Sequence, residues 1–215
     1  VRCPATKETD TLDLDGDGNS SDQICNYTHT IQIQGVPALS ANKLVKGQYD
    51  DEFHKYPDIG VSTPGGTADY LLQVRNEGNV PMNEAVLIDV LPAIGDQLVT
   101  TKDERKSEWR PNLVGAVAAP KGVTVYYSTA ANPCTEELGM SKPDCEKPEW
   151  RTELPEDITS VRALKFDFAK VEIGLNETLN LSWPMRAPAG APTEGEVAWN
   201  SFAYTATPAD NGSRL

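Results

Sequence analysis

Along this chain apolar side chains recur at every second position in short runs, and Gly, Pro, Asn or Asp closes each run. Thr63-Pro64-Gly65-Gly66-Thr67 is turn chemistry, and Ala68-Asp69-Tyr70-Leu71-Leu72-Gln73-Val74-Arg75 alternates as a strand. Asn76-Glu77-Gly78-Asn79 then turns the chain before Ala85-Val86-Leu87-Ile88-Asp89-Val90-Leu91-Pro92. A period of two suits pleated backbone with one face on a core, and the punctuation supplies the connecting turns. Further strands are predicted at 39–46, 123–128, 161–168, 178–183 and 196–206, with a short one at 28–34 that puts Ile31 and Ile33 on one face. Over 161–168 Arg162 is expected outside, and whether Leu164 and Phe166 share the buried face stays open. Pro and Gly interrupt every stretch long enough for an amphipathic helix, and only 103–109 suits one or two helical turns.

These elements predict an all-β fold, an immunoglobulin-like antiparallel β-sandwich with long loop insertions. Residues 1–36 differ in composition and form an Asp-rich N-terminal segment. Residues 37–215 form the sandwich, with an insertion at about 96–150 whose first part, 96–110, reads as a surface connection anchored by Trp109. At 215 residues the chain can bury a substantial core. Its net charge of −13 argues against nucleic acid or an anionic membrane as partner. No run approaches the ~20 apolar residues of a membrane span, and Val1 opens no signal-peptide pattern, so a processed or excised segment is expected.

Four cysteines without Cys-x-x-Cys spacing, beside only two histidines, fit two disulfides better than a metal site. Of three pairings, Cys3 with Cys25 and Cys134 with Cys145 is expected, because each pair brackets a turn-rich segment whose closure restricts the unfolded chain. Asp13-Leu14-Asp15-Gly16-Asp17-Gly18-Asn19-Ser20-Ser21-Asp22 sets oxygen ligands at alternate positions, with glycines where the backbone must wrap a small cation. Asp13, Asp15, Asp17, Asn19 and Asp22 are therefore candidate ligands for a structural Ca²⁺. This loop resembles the calcium repeats of thrombospondin type-three modules. It is not an EF-hand, whose bidentate Glu would fall at Ile24. A solvated acidic turn is the alternative.

The ordered signals at 63–92 resemble a widespread repeat domain of unknown function in bacterial surface proteins and adhesin stalks. The resemblance covers residues 40–92 best and the last strand more loosely. It implies a secreted or cell-wall-attached structural module, with neighbouring modules of the same surface protein as its partners. Immunoglobulin-like modules of Gram-positive surfaces frequently carry a Lys–Asn isopeptide bond between first and last strands, promoted by a buried acid, which here points to Lys43, Asp89 and Asn200. Asp89 is the most informative, because an acid inside an apolar strand needs a partner. Lys46, on the opposite strand face, is the reserve nucleophile. The alternative has Asp89 capping the turn at Leu91-Pro92, Lys43 reaching to water and Asn200 bonding a nearby loop.

An enzyme is not expected. There is no Gly-x-Ser-x-Gly elbow or phosphate loop, and neither His29 nor His54 has a triad context. The second functional reading is a ligand-binding adhesin that recognises a glycan or host protein through the 96–150 insertion, with Trp109 and Trp150 as contacts near Tyr126 and Tyr127. Such aromatics also serve as core plugs.

Overall fold

The computed structural model describes residues 6–26, 30–210 and 214–215. The chain divides into two compact units, Val1–Gln34 and Gly35–Leu215. In the first, β1 (Thr6–Thr9) and β2 (Gln23–Asn26) pair antiparallel and carry the aspartate loop between them. Cys3 and His29 lie outside the described residues, and so does the expected Cys3–Cys25 bridge.

The second unit is all-β. One sheet holds β3 (Leu39–Gly47), β4 (His54–Lys55), β5 (Ala68–Asn76) and β10 (Thr178–Trp183), in the order β10-β5-β3-β4. The other holds β6 (Met82–Val90), β8 (Thr124–Ser128), β9 (Ala163–Asp167) and β12 (Ser201–Pro208), in the order β12-β6-β9-β8. A two-residue pair, β7 (Asn112–Leu113) with β11 (Met185–Arg186), adds a small third ladder. Every pairing between these strands is antiparallel.

The alternation read from the sequence becomes a two-faced strand in β5, where Ala68, Tyr70, Leu72, Val74 and Asn76 are buried and the residues between them are less so. Tyr70, Leu72 and Val74 join Leu87, Leu164, Phe166, Leu181 and Trp183 in one core. Leu164 and Phe166, two residues apart, share one face of β9 and are both fully buried in this core. β6 is buried on both faces: Ala85 and Leu87 enter the main core, while Ile88 and Val90 pack with Val99 and Leu138 in a second cluster, against which Trp150 rests. The second cluster is why β6 reads as a near-continuous apolar run rather than a strict alternation.

The turn motifs have direct causes. Asn76 is fully buried and its side chain donates to the carbonyls of Val80 (2.8 Å) and Ile173 (3.0 Å), while its Oδ1 accepts from Gly78 N (3.0 Å). A Cβ at Gly78 would stand 2.4 Å from the Val36 carbonyl oxygen and 2.6 Å from Ala38 N, so only glycine lets the segment before β3 pass.

Four expectations are corrected. Residues 30–34 form no strand, and Ile31 and Ile33 are each 90% exposed, because no neighbouring strand supplies the hydrogen bonds and apolar cover that pleated backbone needs. The final strand begins at Ser201, not 196. Residues 103–109 are not helical; among the described residues the helical turns are 3₁₀ segments at Glu136–Leu138 and Ile158–Ser160. The 96–110 stretch is not a surface connection: Asp96, Val99, Arg105 and Ser107 within it are buried.

Candidate functional site

Lys43 stands at the centre of β3, opposite Leu72 of β5. Residues paired across a ladder share a face, and Leu72 is fully buried, so the Lys43 side chain points between the sheets. Asp89 of β6 shares the inward face of Ala85 and Leu87 and is paired with Phe202 of β12 and Leu164 of β9. The Lys43 ammonium contacts the Asp89 carboxylate directly, with the two side chains 10% and 0% exposed. Tyr70, Trp183 and Phe202 wall the contact, the lysine nitrogen lying 5.9, 5.6 and 5.1 Å from their ring centroids. Tyr70 and Trp183 are ladder partners and stack at 5.8 Å, which fixes the floor of this aromatic box.

Asn200 precedes β12 by one residue, and both polar atoms of its amide are buried without a completed hydrogen bond. The amide nonetheless lies close enough to Asp89 to favour the ionised carboxylate slightly. Asp89 Oδ1 also lacks a partner. An amine, a carboxyl and a carboxamide with unspent hydrogen-bonding capacity thus converge in an apolar enclosure, a costly arrangement for ordinary packing.

The enclosure alters both titrations. Burial pulls the Lys43 amine down to about 8, against the opposing attraction of Asp89, and the Arg105 cation pushes it the same way as burial. Burial raises the Asp89 carboxyl, opposed by Lys43 and, less strongly, by Arg105. Burial likewise pushes the Tyr70 phenol up. Both members of the pair are displaced toward their uncharged forms. The alternative in which Lys43 reaches water and Asp89 caps a turn is overturned by this geometry; the turn carboxylate is Asp96, whose Oδ2 accepts from Ala93 N at 2.9 Å. Lys46 points outward, opposite Asp69, and donates to the Asp51 carbonyl.

Lys43 and Asn200 also line an open cleft of about 730 Å³, with Tyr56, Trp109 and Trp199 on its walls. Trp109 donates its indole N–H to the Glu196 carbonyl at 3.1 Å. Trp150 instead covers the Lys165 ammonium at 5.1 Å, with Tyr126 at 4.5 Å, and packs on the second cluster; Tyr127 is buried in the core. The two tryptophans are therefore held by different neighbours. Cys134 and Cys145 form a disulfide, as expected.

In the N-terminal unit Asp13, Asp15 and Asp17 bring one oxygen each within 4.8 Å of the others, and Asp22 is outside that group. Asn19 Oδ1 accepts from Ser21 N at 3.2 Å. Asp22 Oδ1 is buried without a partner, and lost hydration followed by the charges of Asp17 and Asp15 raises its carboxyl above the usual range. Asp10, which the sequence reading passed over, is 1% exposed; its Oδ2 accepts from Leu14 N at 2.7 Å while Oδ1 has no partner.

Sequence reasoning also missed Tyr70 and Trp183 as walls of the site, and Asp96, Arg105 and Ser107. The period-two pattern of β5 and β10 could have found the two aromatics. Nothing local marks the other three.

Neither a family model nor a curated protein matches the chain. A solved structure described as "AvmM Catalyzes Macrocyclization in Alchivemycin A Biosynthesis" is similar at 10% identity, over 80% of this chain and 73% of that one, with a TM-score of 0.26. A likeness at that level carries no argument. Among the described residues no helix is long and apolar enough to cross a membrane.

Proposed function

We propose that the chain is a structural module of a secreted or cell-wall-attached bacterial surface protein, an immunoglobulin-like sandwich locked by an isopeptide bond between Lys43 and Asn200. The observation that carries this reading is the buried contact of Lys43 with Asp89 beside the unpartnered Asn200 amide. In the neutral pair the Lys43 amine attacks the Asn200 carboxamide carbon, and the Asp89 acid donates a hydrogen bond to the carbonyl oxygen as it gains charge. The proton from the attacking nitrogen passes through Asp89 to Nδ2, the carbon–Nδ2 bond breaks, and ammonia leaves through the cleft. One amide replaces another, so no oxidant or co-reactant is needed. The aromatic box excludes water, which would otherwise favour the ammonium and carboxylate.

The residues serve a single self-directed reaction, and the chain is no enzyme toward external substrates. Its work is mechanical: β3 opens the sandwich unit and β12 closes it, and the bond ties one to the other across the two sheets. The extracellular setting is supported by the Cys134–Cys145 disulfide. Intact mass spectrometry under denaturing conditions tests the reading. The chain is expected to be lighter than its sequence by one ammonia, beyond the hydrogens lost to disulfides, and to regain that mass in Asn200→Ala after allowance for the substitution. A wild-type mass with no ammonia lost overturns it.

A structural Ca²⁺ in the aspartate loop is proposed as well, favoured by buried Asp10 with a free oxygen beside a loop of closely set carboxylates. Asp13, Asp15 and Asp17 would hold the ion, which would neutralise their mutual repulsion and stiffen a segment with little core.

A further inference from the structure

Asn200 lies just beyond the last ladder pair of β12 with β6, Ser201 with Val90, so sheet hydrogen bonding does not fix its position. Its two neighbours are held from elsewhere. Trp199 N donates to Ser107 Oγ at 3.0 Å, and Ser107 gives its own proton to Asp96 Oδ2 at 2.7 Å, closer than the Trp199 carbonyl at 3.3 Å. Asp96 Oδ2 also pairs with Arg105 Nη2 at 2.7 Å. Arg105 Nη1 reaches Ser201 Oγ at 3.1 Å and the Val90 carbonyl at 2.5 Å, and Nη2 reaches the Leu91 carbonyl at 3.0 Å. We infer that Asp96, Arg105 and Ser107 form a positioning clamp that holds Asn200 against Lys43 and Asp89 for cross-linking. The inference rests on the isopeptide reading and gives the 96–110 segment a role in it.

The clamp grips both sides of the reacting residue and the end of the strand that carries the acid. Arg105 spans Val90, Leu91 and Ser201, so one side chain ties the backbone just after Asp89 to the residue just after Asn200. Ser107 fixes the backbone just before Asn200. A buried ion pair such as Arg105 with Asp96, their side chains 2% and 1% exposed, adds little stability over apolar packing of the same volume. Its effect is directional: planar guanidinium donors and a shared carboxylate set angles that apolar contacts leave free. The same segment reinforces the approach further back, where Glu108 N bonds the Val197 carbonyl (2.9 Å) and Glu108 Oε2 accepts from Val197 N (2.8 Å).

The test uses Ser107, whose removal leaves the ion pair in place. The fraction of chains that have lost ammonia is followed by intact mass in full-length protein sampled at intervals after synthesis. Ser107→Ala is expected to slow cross-linking by ~10- to 100-fold, the penalty for small misplacement of reacting groups, and Ser107→Thr to restore most of the rate. In a Lys43→Met background, where no bond can form, hydrogen exchange at Trp199 N is expected to quicken on Ser107→Ala and recover with Thr. Cross-linking of Ser107→Ala at the wild-type rate overturns the clamp, as does slowing that Thr fails to relieve. Wild-type protein that never loses ammonia overturns the cross-link reading and this inference with it, while the exchange data still show whether the clamp holds Trp199.

Discussion

Lys43 and Asp89 meet from opposite sheets, one from the middle of β3 and the other from the inner face of β6, inside walls formed by Tyr70, Trp183 and Phe202. Each residue alone violates the rule that ionisable side chains avoid the core, and together they satisfy it only by shedding charge.

Loss of the covalent tie is expected to weaken folding substantially. Lys43 and Asn200 are roughly 160 residues apart, and closing so long a loop in the unfolded chain is worth about 5 kcal/mol in the chain-entropy model. Asn200→Ala should lower the urea midpoint accordingly and steepen the transition, because the unfolded chain without the tie is less compact. An unchanged midpoint contradicts a bond at this position.

Asp89→Asn keeps the volume and removes the acid. No ammonia should be lost, and the buried Lys43 amine exchanges its carboxylate partner for a neutral amide oxygen, for about 2 kcal/mol of further destabilisation. The comparison is made with Asn200→Ala, so that neither chain is cross-linked. Ammonia loss in Asp89→Asn would show that the carboxyl is not the proton carrier.

The pH dependence of an uncross-linked chain follows from the two shifts. Lys43 gives up its proton at about 8 when folded and at 10.5 when unfolded. Below 8 both states hold the proton; between 8 and 10.5 only the unfolded state does, so stability rises with pH across that window. Asp89 runs the other way: its folded value lies above 3.8, and stability falls as pH climbs from 3.8 to that value. The urea midpoint of Asn200→Ala should therefore rise relative to that of Asn200→Ala/Lys43→Met between pH 8 and 10.5. A constant gap would mean that the Lys43 amine is not depressed.

Calcium binding is checked by calorimetric titration of the full chain. Binding is expected in the range of about 10⁻⁴ to 10⁻³ M common to extracellular modules, and its loss in Asp13→Ala/Asp15→Ala. No heat in the wild type, with unchanged proteolysis of residues 6–26 on adding the ion, contradicts the site.

Replacing Cys134 and Cys145 by serine is expected to lower stability by about 3 kcal/mol, from the short loop they close. The same loop carries Lys142, 3% exposed, whose ammonium donates to the Leu98 carbonyl at 3.0 Å. Amide exchange around Leu98 and Val99 should quicken in the double variant, and unchanged exchange there would separate the disulfide from the second cluster.

Strands β3, β5, β8 and β10 could be read from alternation and turn residues because their patterning is local. Asp89 stood out for the same reason, an acid among Val, Leu and Ile. Residues 28–34 show where that reading stops: Ile31 and Ile33 alternate correctly, yet a strand forms only with a neighbour, and over the described residues 30–34 there is none. Arg105 and Asp96 were hidden because part of their surroundings, Ser201 and through Ser107 also Trp199, lies about a hundred positions away. A charged stretch looks the same in sequence whether it is solvated or folded under Trp199 and Ser201.

β3 and β12 lie close at the core, where the Tyr204 hydroxyl donates to the Leu39 carbonyl at 2.8 Å. Pulling on the unit from its two ends loads these strands first. With a covalent link between them, tension would run straight from one to the other, and the polypeptide in between, including the disulfide loop and the second cluster, would stay slack.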